Sequence, residues 1–378
     1  MDVLEIDPKK IRNLRRNLLR WYKAHARELP WRAGPRGDKK PNPYHVMVSE
    51  AMLQQTQVAT VIDYFNRFVA VFPTVASLAA ADEQSVLNMW QGLGYYRRAR
   101  HLHAAAKMVV DEFEGEVPRE ADELLKLPGV GPYSAGAIAS IAYDQRAAIV
   151  DGNVIRILSR IFKITKPADE TETKKRLWSI AEALVPAKDA GNYNQAMMEL
   201  GAMICSPRGA GCLLCPVRNQ CESLADDQMD VHDLPVMLPK KKPRAVTHQL
   251  IAVQRRDGKY LFVKRPAKGL WSNMFGLLSL EHDVKLSSEP DFNAIKKHLK
   301  TSVNLTAGET DHVKTFKHQT THLTIHFELH VAQDGKGRAV CDGEIAWRRL
   351  DELDDLPLAK PQQKAVSLLR KFEAQLAV

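Results

Sequence analysis

The sequence has no apolar run long enough to cross a bilayer, and its opening stretch, MDVLEIDPKKIRNLRR, lacks the apolar core of a signal peptide. It also has no internal repeat and no long low-complexity tract. We therefore expect neither a membrane-spanning nor a secreted protein. The apolar share of 45% is ordinary for a folded chain, and 378 residues predict two domains rather than one.

Charge gives only a weak indication of function. The 54 Lys and Arg residues outnumber the 45 Asp and Glu residues, giving a formal net charge of +9 and an isoelectric point of about 9.2. Such an excess is compatible with binding to nucleic acid or to anionic lipid, but many basic proteins bind neither. Charge alone therefore assigns no partner.

Two patterns follow one another along the chain. From about residue 9 to 204, apolar residues recur at three and four spacing, which predicts successive helices joined by short turns. Two such stripes are Ile11, Leu14, Leu18 and Leu19, and Val58, Val61, Ile62, Phe65 and Val69. We predict a helical domain over 1–225, a linker over 226–245 and a second domain over 246–378.

The second domain has the pattern of strands. THQLIAVQRRDGKYLFVKRP predicts two strands joined at Asp257-Gly258, and the alternation in HLTIHFELHV predicts another. KPQQKAVSLLRKFEAQL predicts a closing helix. The boundary falls in DDQMDVHDLPVMLPKKKPRA, a polar stretch with three prolines and a basic cluster.

LPGVGPYSAG, at 127–136, places two prolines and two glycines within five positions of a helical region. The prolines remove backbone donors, while Gly129 and Gly131 permit positive φ and leave the backbone uncovered. The segment is either a simple turn or a hairpin whose exposed amides face a partner.

Four of the five cysteines lie at C-x6-C-x2-C-x5-C spacing, at Cys205, Cys212, Cys215 and Cys221. Thiolates so grouped can hold a tetrahedral zinc ion or an iron–sulfur cluster, although zinc sites usually pair two C-x2-C knuckles. Unligated buried thiols are the alternative. Cys341 stands alone and is expected to act as a small apolar residue.

This cysteine spacing, following LPGVGPYSAGAIASIAYDQRAAIVDGNVIRILSR, resembles the endonuclease III superfamily of DNA glycosylases. SEAMLQQTQV, GLGYYRRARHL and NYNQAMMELGAMIC make the chain similar to adenine DNA glycosylases of the MutY type. The resemblance implies a mainly α helix-hairpin-helix glycosylase domain with an iron–sulfur loop over 205–221, followed by an α+β Nudix-like domain. It implies that the four cysteines hold a 4Fe–4S cluster, and that Gly129 and Gly131 let backbone amides bind a DNA phosphate.

Two carboxylates carry the expected chemistry. Glu50 lies in the mostly apolar helical stretch YHVMVSEAMLQQ, where an apolar surround would raise its pKa and suit a general acid. An exposed helix glutamate is the alternative. Asp151 opens DGNVIRILSR and is a favoured helix cap, which also keeps a carboxylate ionised. The resemblance makes Glu50 the catalytic acid and Asp151 the second catalytic carboxylate.

By resemblance, Tyr133 and Asn153 support these carboxylates. The same resemblance implies an adenine pocket formed by Arg27, Trp31, Arg32 and Gln195. It implies a wedge that enters the duplex, formed by Leu53, Gln54, Gln55 and Tyr95. Each set has a structural alternative: Trp31 as a core aromatic, and the glutamines and Tyr96 as packing residues. Phosphate contacts are expected from Arg97, Arg98 and Arg100, unless they form a solvated basic face.

Two departures refine the expectation. By resemblance, Tyr133 stands where the superfamily members that also cleave the strand have a lysine, and Ile155 stands where some adenine glycosylases have one. We therefore expect a monofunctional enzyme without Schiff-base chemistry. The second domain lacks the glutamate-rich helix of a Nudix hydrolase, so we do not expect it to be a hydrolase. The resemblance implies that it recognises the 8-oxoguanine opposite the target adenine. The resemblance places lesion contacts at Thr321 and His322, with Thr320 replacing the family's aromatic residue.

Three functions follow from these features. The first is removal of adenine from double-stranded DNA in which it is mispaired with 8-oxoguanine or guanine, by a monomer in the bacterial cytoplasm at the nucleoid. The second is an endonuclease III-like pyrimidine glycosylase with lyase activity, which Tyr133 disfavours. The third is a non-catalytic, metal-stapled DNA-binding protein, which the pairing of Glu50 with Asp151 disfavours.

Overall fold

A computed structural model describes residues 6–32, 40–239, 242–283, 292–353 and 356–376, with the chain in two compact units. Met1–Met89 and Arg97–Pro239 form the first, and Trp90–Tyr96 with Lys240–Val378 form the second. The expected fold class is confirmed, because the first unit is helical and the second is α+β. No helix in the described ranges is both long and apolar enough to span a bilayer.

The first unit is built from eleven helices within the described residues. They are α1 Pro8–His25, α2 Pro43–Leu53, α3 Val58–Val71, α4 Val75–Ala80, α5 Glu83–Met89, α6 Arg97–Glu112, α7 Ala121–Leu124, α8 Pro132–Tyr143, α9 Gly152–Ile161, α10 Thr171–Leu184 and α11 Ala190–Met203. Local chemistry sets several of the starts: Asp7, Asn42, Thr74 and Asp151 accept hydrogen bonds from backbone N–H groups of the first turn. Prolines at the first position of α1, α2 and α8 lose nothing, because that N–H has no helical partner.

The apolar stripes predicted from spacing form the core of this unit. Leu14, Leu18 and Tyr22 of α1 are buried in one cluster with residues of α9, α10 and α11. Val61 and Phe65 of α3 are also buried. The polar segment after the cysteines packs on the same unit, where Arg160 Nε donates to the Leu234 carbonyl at 3.1 Å. The first unit therefore extends to Pro239.

The second unit contains two sheets and two helices. Its strands are β1 Arg244–Val253, β2 Tyr260–Lys264, β3 Phe275–Gly276, β4 Leu278–His282, β5 Thr310–Gln319, β6 Leu323–Ala332 and β7 Ile345–Arg348. Its helices are α12 Phe292–Val303 and α13 Lys360–Leu376. One sheet has the order β4-β1-β6-β5, with β1 parallel to β6, and the other has the order β3-β2-β7. Apolar residues of α12 and of α13 belong to two separate clusters that bury alternate residues of β1.

The hairpin predicted at Asp257-Gly258 is only partly present. Gly258 has the positive φ that such a turn requires, but β1 and β2 lie in different sheets and share only the bridge between Gln254 and Tyr260. Both predicted strands are therefore present, but they do not pair with each other as a ladder. The reason is that β4 and β6 already occupy both edges of β1.

Candidate active site

Glu50 lies in the second half of α2 and is 5% exposed. Burial raises its pKa to about 7, the nearby Asp151 carboxylate adds to that effect, and a hydrogen bond from Tyr133 opposes it. The carboxyl group is therefore divided between its acidic and ionised forms at neutral pH. The alternative reading of an exposed helix glutamate was wrong.

Tyr133 occupies the first turn of α8, directly after the hairpin. Its hydroxyl donates a hydrogen bond to Glu50. Burial, together with the charges of Glu50 and Asp151, raises the pKa of Tyr133 well above its ordinary value. The phenol therefore stays protonated and keeps the donor role.

Asp151 caps α9, as its sequence position predicted. Oδ1 accepts the Val154 N–H at 2.8 Å, and Oδ2 accepts from Asn153 Nδ2 at 3.2 Å. Asn153 is held in turn, because its Oδ1 accepts from Arg156 Nη2 at 2.9 Å. A Cβ on Gly201 would lie 2.7 Å from the Asn153 Cβ, so only glycine lets α11 approach this closely.

These four residues border one cleft of the first unit, with about 780 Å³ of empty space that includes its open mouth. The four residues predicted for a base pocket border it as well. Its lining includes Arg27, Trp31, Arg32, Glu50, Leu53, Tyr133, Asp151, Asn153, Gln195 and Glu199. Trp31 is a core aromatic that also lines the cleft: it is 6% exposed and packs edge-on against Phe65 at 5.3 Å between ring centroids.

Sequence reasoning missed Glu199, which is fully buried in this lining. Its carboxylate accepts from Arg27 Nε at 2.8 Å, from Arg27 Nη2 at 2.9 Å and from Arg32 Nη2 at 2.9 Å. Burial acts to raise the pKa of Glu199, but the two guanidinium groups hold it below its ordinary value. The available signal was its position on α11, four residues after Gln195 and so on the same helix face.

Gln195 presents a buried acceptor to the cleft. Its Nε2 donates to the Gly191 carbonyl at 3.3 Å, which identifies the other amide atom as oxygen. Within the described residues, Oε1 is buried and accepts no hydrogen bond. Such an acceptor favours a ligand that brings an N–H donor.

The glycines of the hairpin have different roles. Gly129 adopts φ +79°, and a Cβ there would lie 2.5 Å from the Cβ of His101. Gly131 is the N-cap of α8, and nothing lies within 4 Å of where its Cβ would be. The first glycine is required by its conformation and its contact, while the second leaves the start of α8 uncovered.

Three of the predicted wedge residues lie shortly after Glu50 in the sequence, and Tyr95 lies farther along the chain. Leu53 ends α2 and lines the cleft, Gln54 Nε2 donates to Ser134 Oγ at 3.4 Å, and Gln55 is exposed with φ +59°. Tyr95 is 52% exposed with φ +49°, and its segment, Trp90–Tyr96, groups with the second unit.

The predicted basic set on α6 is not uniform. Arg97 is exposed and Arg100 half-buried, but Arg98 is 8% exposed and donates hydrogen bonds to backbone carbonyls of α2. The expectation that Arg98 contacts phosphate, or lies on a solvated face, was wrong. The helix phase turns this arginine into the protein.

The four clustered cysteines border one pocket, together with Arg160 and apolar side chains such as Ile157 and Val217. Burial raises the pKa of Cys212 and Cys221, and that of Cys215 to about 11. Among the described residues, no three Cys, His, Asp or Glu side chains are placed to ligate a single metal ion.

In the second unit, Thr321 and His322 are exposed in the turn between β5 and β6. Thr320 closes that turn: its Oγ1 accepts the Leu323 N–H at 3.0 Å, and its N–H donates to the Leu323 carbonyl at 2.8 Å. Thr320 is therefore committed to the turn, while the next two side chains face outward.

Comparison with known proteins gives two family matches and extended similarity to named relatives. Residues 48–183 match the HhH-GPD superfamily of base excision DNA repair proteins, and residues 249–368 match the NUDIX domain. The chain is 35% identical over 364 residues to an adenine DNA glycosylase of Arabidopsis thaliana, covering 85% of this chain and 57% of that protein. It is 30% identical over 367 residues to an adenine DNA glycosylase of Buchnera aphidicola subsp. Schizaphis graminum, covering 93% and 97%.

Among solved structures, a thermostable thymine-DNA glycosylase matches with a TM-score of 0.52 and 27% identity, covering 57% of this chain and 97% of that chain. The chain spans little more than half the length of the plant relative.

Proposed function

The chain belongs to the adenine DNA glycosylase family, and we propose that it hydrolyses the N-glycosidic bond of adenine mispaired with 8-oxoguanine or guanine in double-stranded DNA. The observation that carries this proposal is the cleft in which Glu50, buried and with a pKa of about 7, lies near the capped Asp151. Two carboxyl groups in contrasting environments are the arrangement that glycosidic cleavage requires.

Glu50 acts as the general acid. It protonates the imidazole ring of adenine, so that the base departs as a neutral molecule. The hydroxyl of Tyr133 orients the carboxyl group through its hydrogen bond. A pKa near the working pH gives both a useful fraction of acid and sufficient driving force for proton transfer.

Asp151 stabilises the positive charge that develops on the sugar. Its two oxygens are held by Val154 N–H and by Asn153, so the carboxylate needs no reorganisation when that charge appears. Water, or a transient Asp151 adduct that water then resolves, completes the hydrolysis.

The cleft selects the extruded base. Adenine must leave the stack before its glycosidic bond can be reached. The Gln195 Oε1 acceptor suits the exocyclic amine of adenine and disfavours the carbonyl oxygen that guanine carries at the same position. Arg27 and Arg32, fixed by Glu199, form the charged wall of this pocket.

The chemistry ends with base removal. No lysine is found among the described residues that line the cleft, and Tyr133 and Ile155 carry no amine. A Schiff base with the opened sugar is therefore not available there. The hairpin at Gly129 and Gly131 holds a phosphate, and Leu53, Gln54 and Gln55 form a wedge that enters the duplex. Tyr95 is a further wedge residue.

The four clustered cysteines hold a 4Fe–4S cluster, whose contribution when bound is to staple the loop. The donor set fits, because four sulfurs and the Arg160 guanidinium border one pocket. Arg208 and Arg218 on this loop are exposed and face phosphates. Thr321 and His322 of the second unit read the base opposite adenine.

A single-turnover assay on matched duplexes tests the proposal. Adenine opposite 8-oxoguanine and opposite guanine should be released, while adenine opposite thymine should remain. Glu50→Gln should abolish release with DNA affinity retained. Glu112→Gln, at the exposed end of α6 and outside the cleft lining, is the matched control. Release of a pyrimidine with strand cleavage, and no release of adenine, would support the lyase reading instead.

A further inference from the structure

Arg98, the second residue of α6, is directed into the first unit. Its Nη1 donates to the backbone carbonyls of Ala51 at 3.1 Å, Met52 at 2.7 Å and Gln54 at 2.5 Å. Its Nη2 donates to the Thr56 hydroxyl at 3.2 Å. One guanidinium group thus contacts both the last turn of α2 and the turn that follows it.

The physical reason for this contact is the unsatisfied end of a helix. The last carbonyls of α2 have no partner within the helix, and they form the negative pole of its dipole. Arginine offers several N–H groups in a rigid planar fork, whereas lysine offers a single charged point. Arg98 is therefore a cap supplied by another helix, and it satisfies both the hydrogen bonds and the charge.

The capped segment carries functional residues on both sides of the cap. Glu50 precedes the capped carbonyls by one residue, and Leu53 to Gln55 lie among them. Gln55 has φ +59°, a conformation that a non-glycine residue holds only when its surroundings fix it. The Gln54 and Thr56 contacts of Arg98 flank that residue on both sides.

We infer that Arg98 is a positioning residue that holds the Leu53 to Gln55 turn in the form that enters the duplex, and that it does not contact phosphate. The inference rests on the proposed base removal, since that activity gives the turn its task. Because the Arg98 side chain is buried, its loss removes no direct contact with a phosphate.

Salt dependence and rate distinguish positioning from phosphate contact. In Arg98→Gln, the slope of log affinity against log salt should equal that of the wild type, whereas a lost phosphate contact lowers it by about 0.9. In the same variant, the rate constant of single-turnover adenine release should fall roughly 100-fold, because Leu53 to Gln55 are then misplaced. The fall in rate should be larger when G·C pairs flank the adenine than when A·T pairs do. G·C pairs stack more strongly, so opening the duplex there depends more on correctly placed wedge residues.

Two further variants complete the test. Lys107→Gln removes one exposed charge from the same helix and should leave the rate within about twofold. Arg98→Lys keeps the charge without the fork and should lose roughly tenfold in rate, so it carries the test if Arg98→Gln does not fold. Titration of active sites separates a smaller folded fraction from a slower rate constant. A slope lowered by about 0.9, or a rate constant unchanged in both Arg98 variants, overturns the inference. Loss of base release in the wild type would instead overturn the proposed function.

Discussion

The two buried glutamates of the cleft should respond in opposite ways to replacement by glutamine. Burial raises the pKa of Glu50 from 4.5 to about 7. Each pKa unit corresponds to about 1.4 kcal/mol, so ionised Glu50 lowers the free energy of unfolding by about 3 kcal/mol relative to its neutral form. Glutamine at this position is neutral at every pH and avoids that cost.

The sign follows from the two pKa values of Glu50. Because the folded pKa lies above the unfolded one, the stability that Glu50 contributes is fully present below pH 4.5 and is lost as the pH rises through about 7. Glu50→Gln should therefore be more stable than the wild type at pH 8 by about 3 kcal/mol. The advantage should fall below about 1 kcal/mol at pH 5, where wild-type Glu50 is mostly protonated in the folded protein.

Glu199 is the matched contrast, since it is equally buried but paired with two arginines. Arg27 and Arg32 hold its pKa below the ordinary value against the effect of burial, so its contribution is present at neutral pH and is lost as the pH falls. Glu199→Gln leaves both guanidinium groups without a counter-charge. We expect a loss of about 3 kcal/mol, at the lower end for a broken buried pair because Arg27 is 36% exposed.

Urea unfolding of both variants and the wild type, followed by tryptophan fluorescence and circular dichroism at pH 5 and pH 8, measures these differences. The single-turnover rate of the wild type should fall as the pH rises above 7, since the acid form of Glu50 is then depleted. The reasoning fails if Glu50→Gln is less stable than the wild type at pH 8, or if its relative stability does not change between the two pH values.

Three further predictions concern the positions of Tyr133 and Ile155, the clustered cysteines, and the turn between β5 and β6. Borohydride should trap almost no covalent complex between the wild type and DNA, because Tyr133 and Ile155 offer no amine; strong trapping would favour the lyase reading. Cys212→Ser should lose visible absorbance at roughly 400 nm and bind DNA more weakly, with the helical circular dichroism signal preserved. Unchanged DNA binding would show that the cysteine site does not contribute to it. His322→Ala should lower the preference for 8-oxoguanine over guanine by about tenfold in single-turnover rates. Thr320→Ser keeps the hydroxyl of the turn and should leave the preference unchanged. If His322→Ala has the same preference as the wild type, His322 does not recognise 8-oxoguanine.

Local chemistry explains what could be predicted from the sequence. Asp151 was recognisable as a helix cap because its partner, the Val154 N–H, lies three residues away. The positive φ of Gly129 follows from the same short range, since the hairpin needs it whatever surrounds the turn. The apolar stripe of α1 was equally readable, because Leu14 and Leu18 share a face at four-residue spacing.

Long-range packing explains what could not be predicted. Trp90–Tyr96 separates two helices of the first unit in sequence, yet it groups with the second, where the Tyr96 hydroxyl donates to the Leu358 carbonyl at 3.2 Å. Nothing near residue 96 in the sequence announces a partner 262 positions away. The separation of β1 from β2 has the same origin, because the partners of β1 come from residues 278–282 and 323–332.

Tertiary contacts decide which of several similar charged residues is buried, and the local sequence does not show this. Arg97, Arg98 and Arg100 form one basic run, and only the phase of α6 against the end of α2 turns Arg98 inward. Glu199 likewise reads as an ordinary helix glutamate until Arg27, 172 positions away, reaches it. Unpaired, each of these charges would be costly to bury, so its partner had to exist somewhere in the fold.

The same reasoning connects the cysteine loop to the carboxylates of the cleft. Arg156 Nε donates to the Cys205 carbonyl at 2.8 Å, and Arg156 Nη2 donates to Asn153 Oδ1 at 2.9 Å. Asn153 then donates to Asp151 at 3.2 Å, so a continuous line of hydrogen bonds joins Cys205 to the Asp151 carboxylate. Because Arg156 is 7% exposed, water cannot readily replace a lost partner. A displaced loop would therefore loosen Asn153 and, through it, Asp151, although the cysteines border a different pocket from the cleft that Asp151 lines.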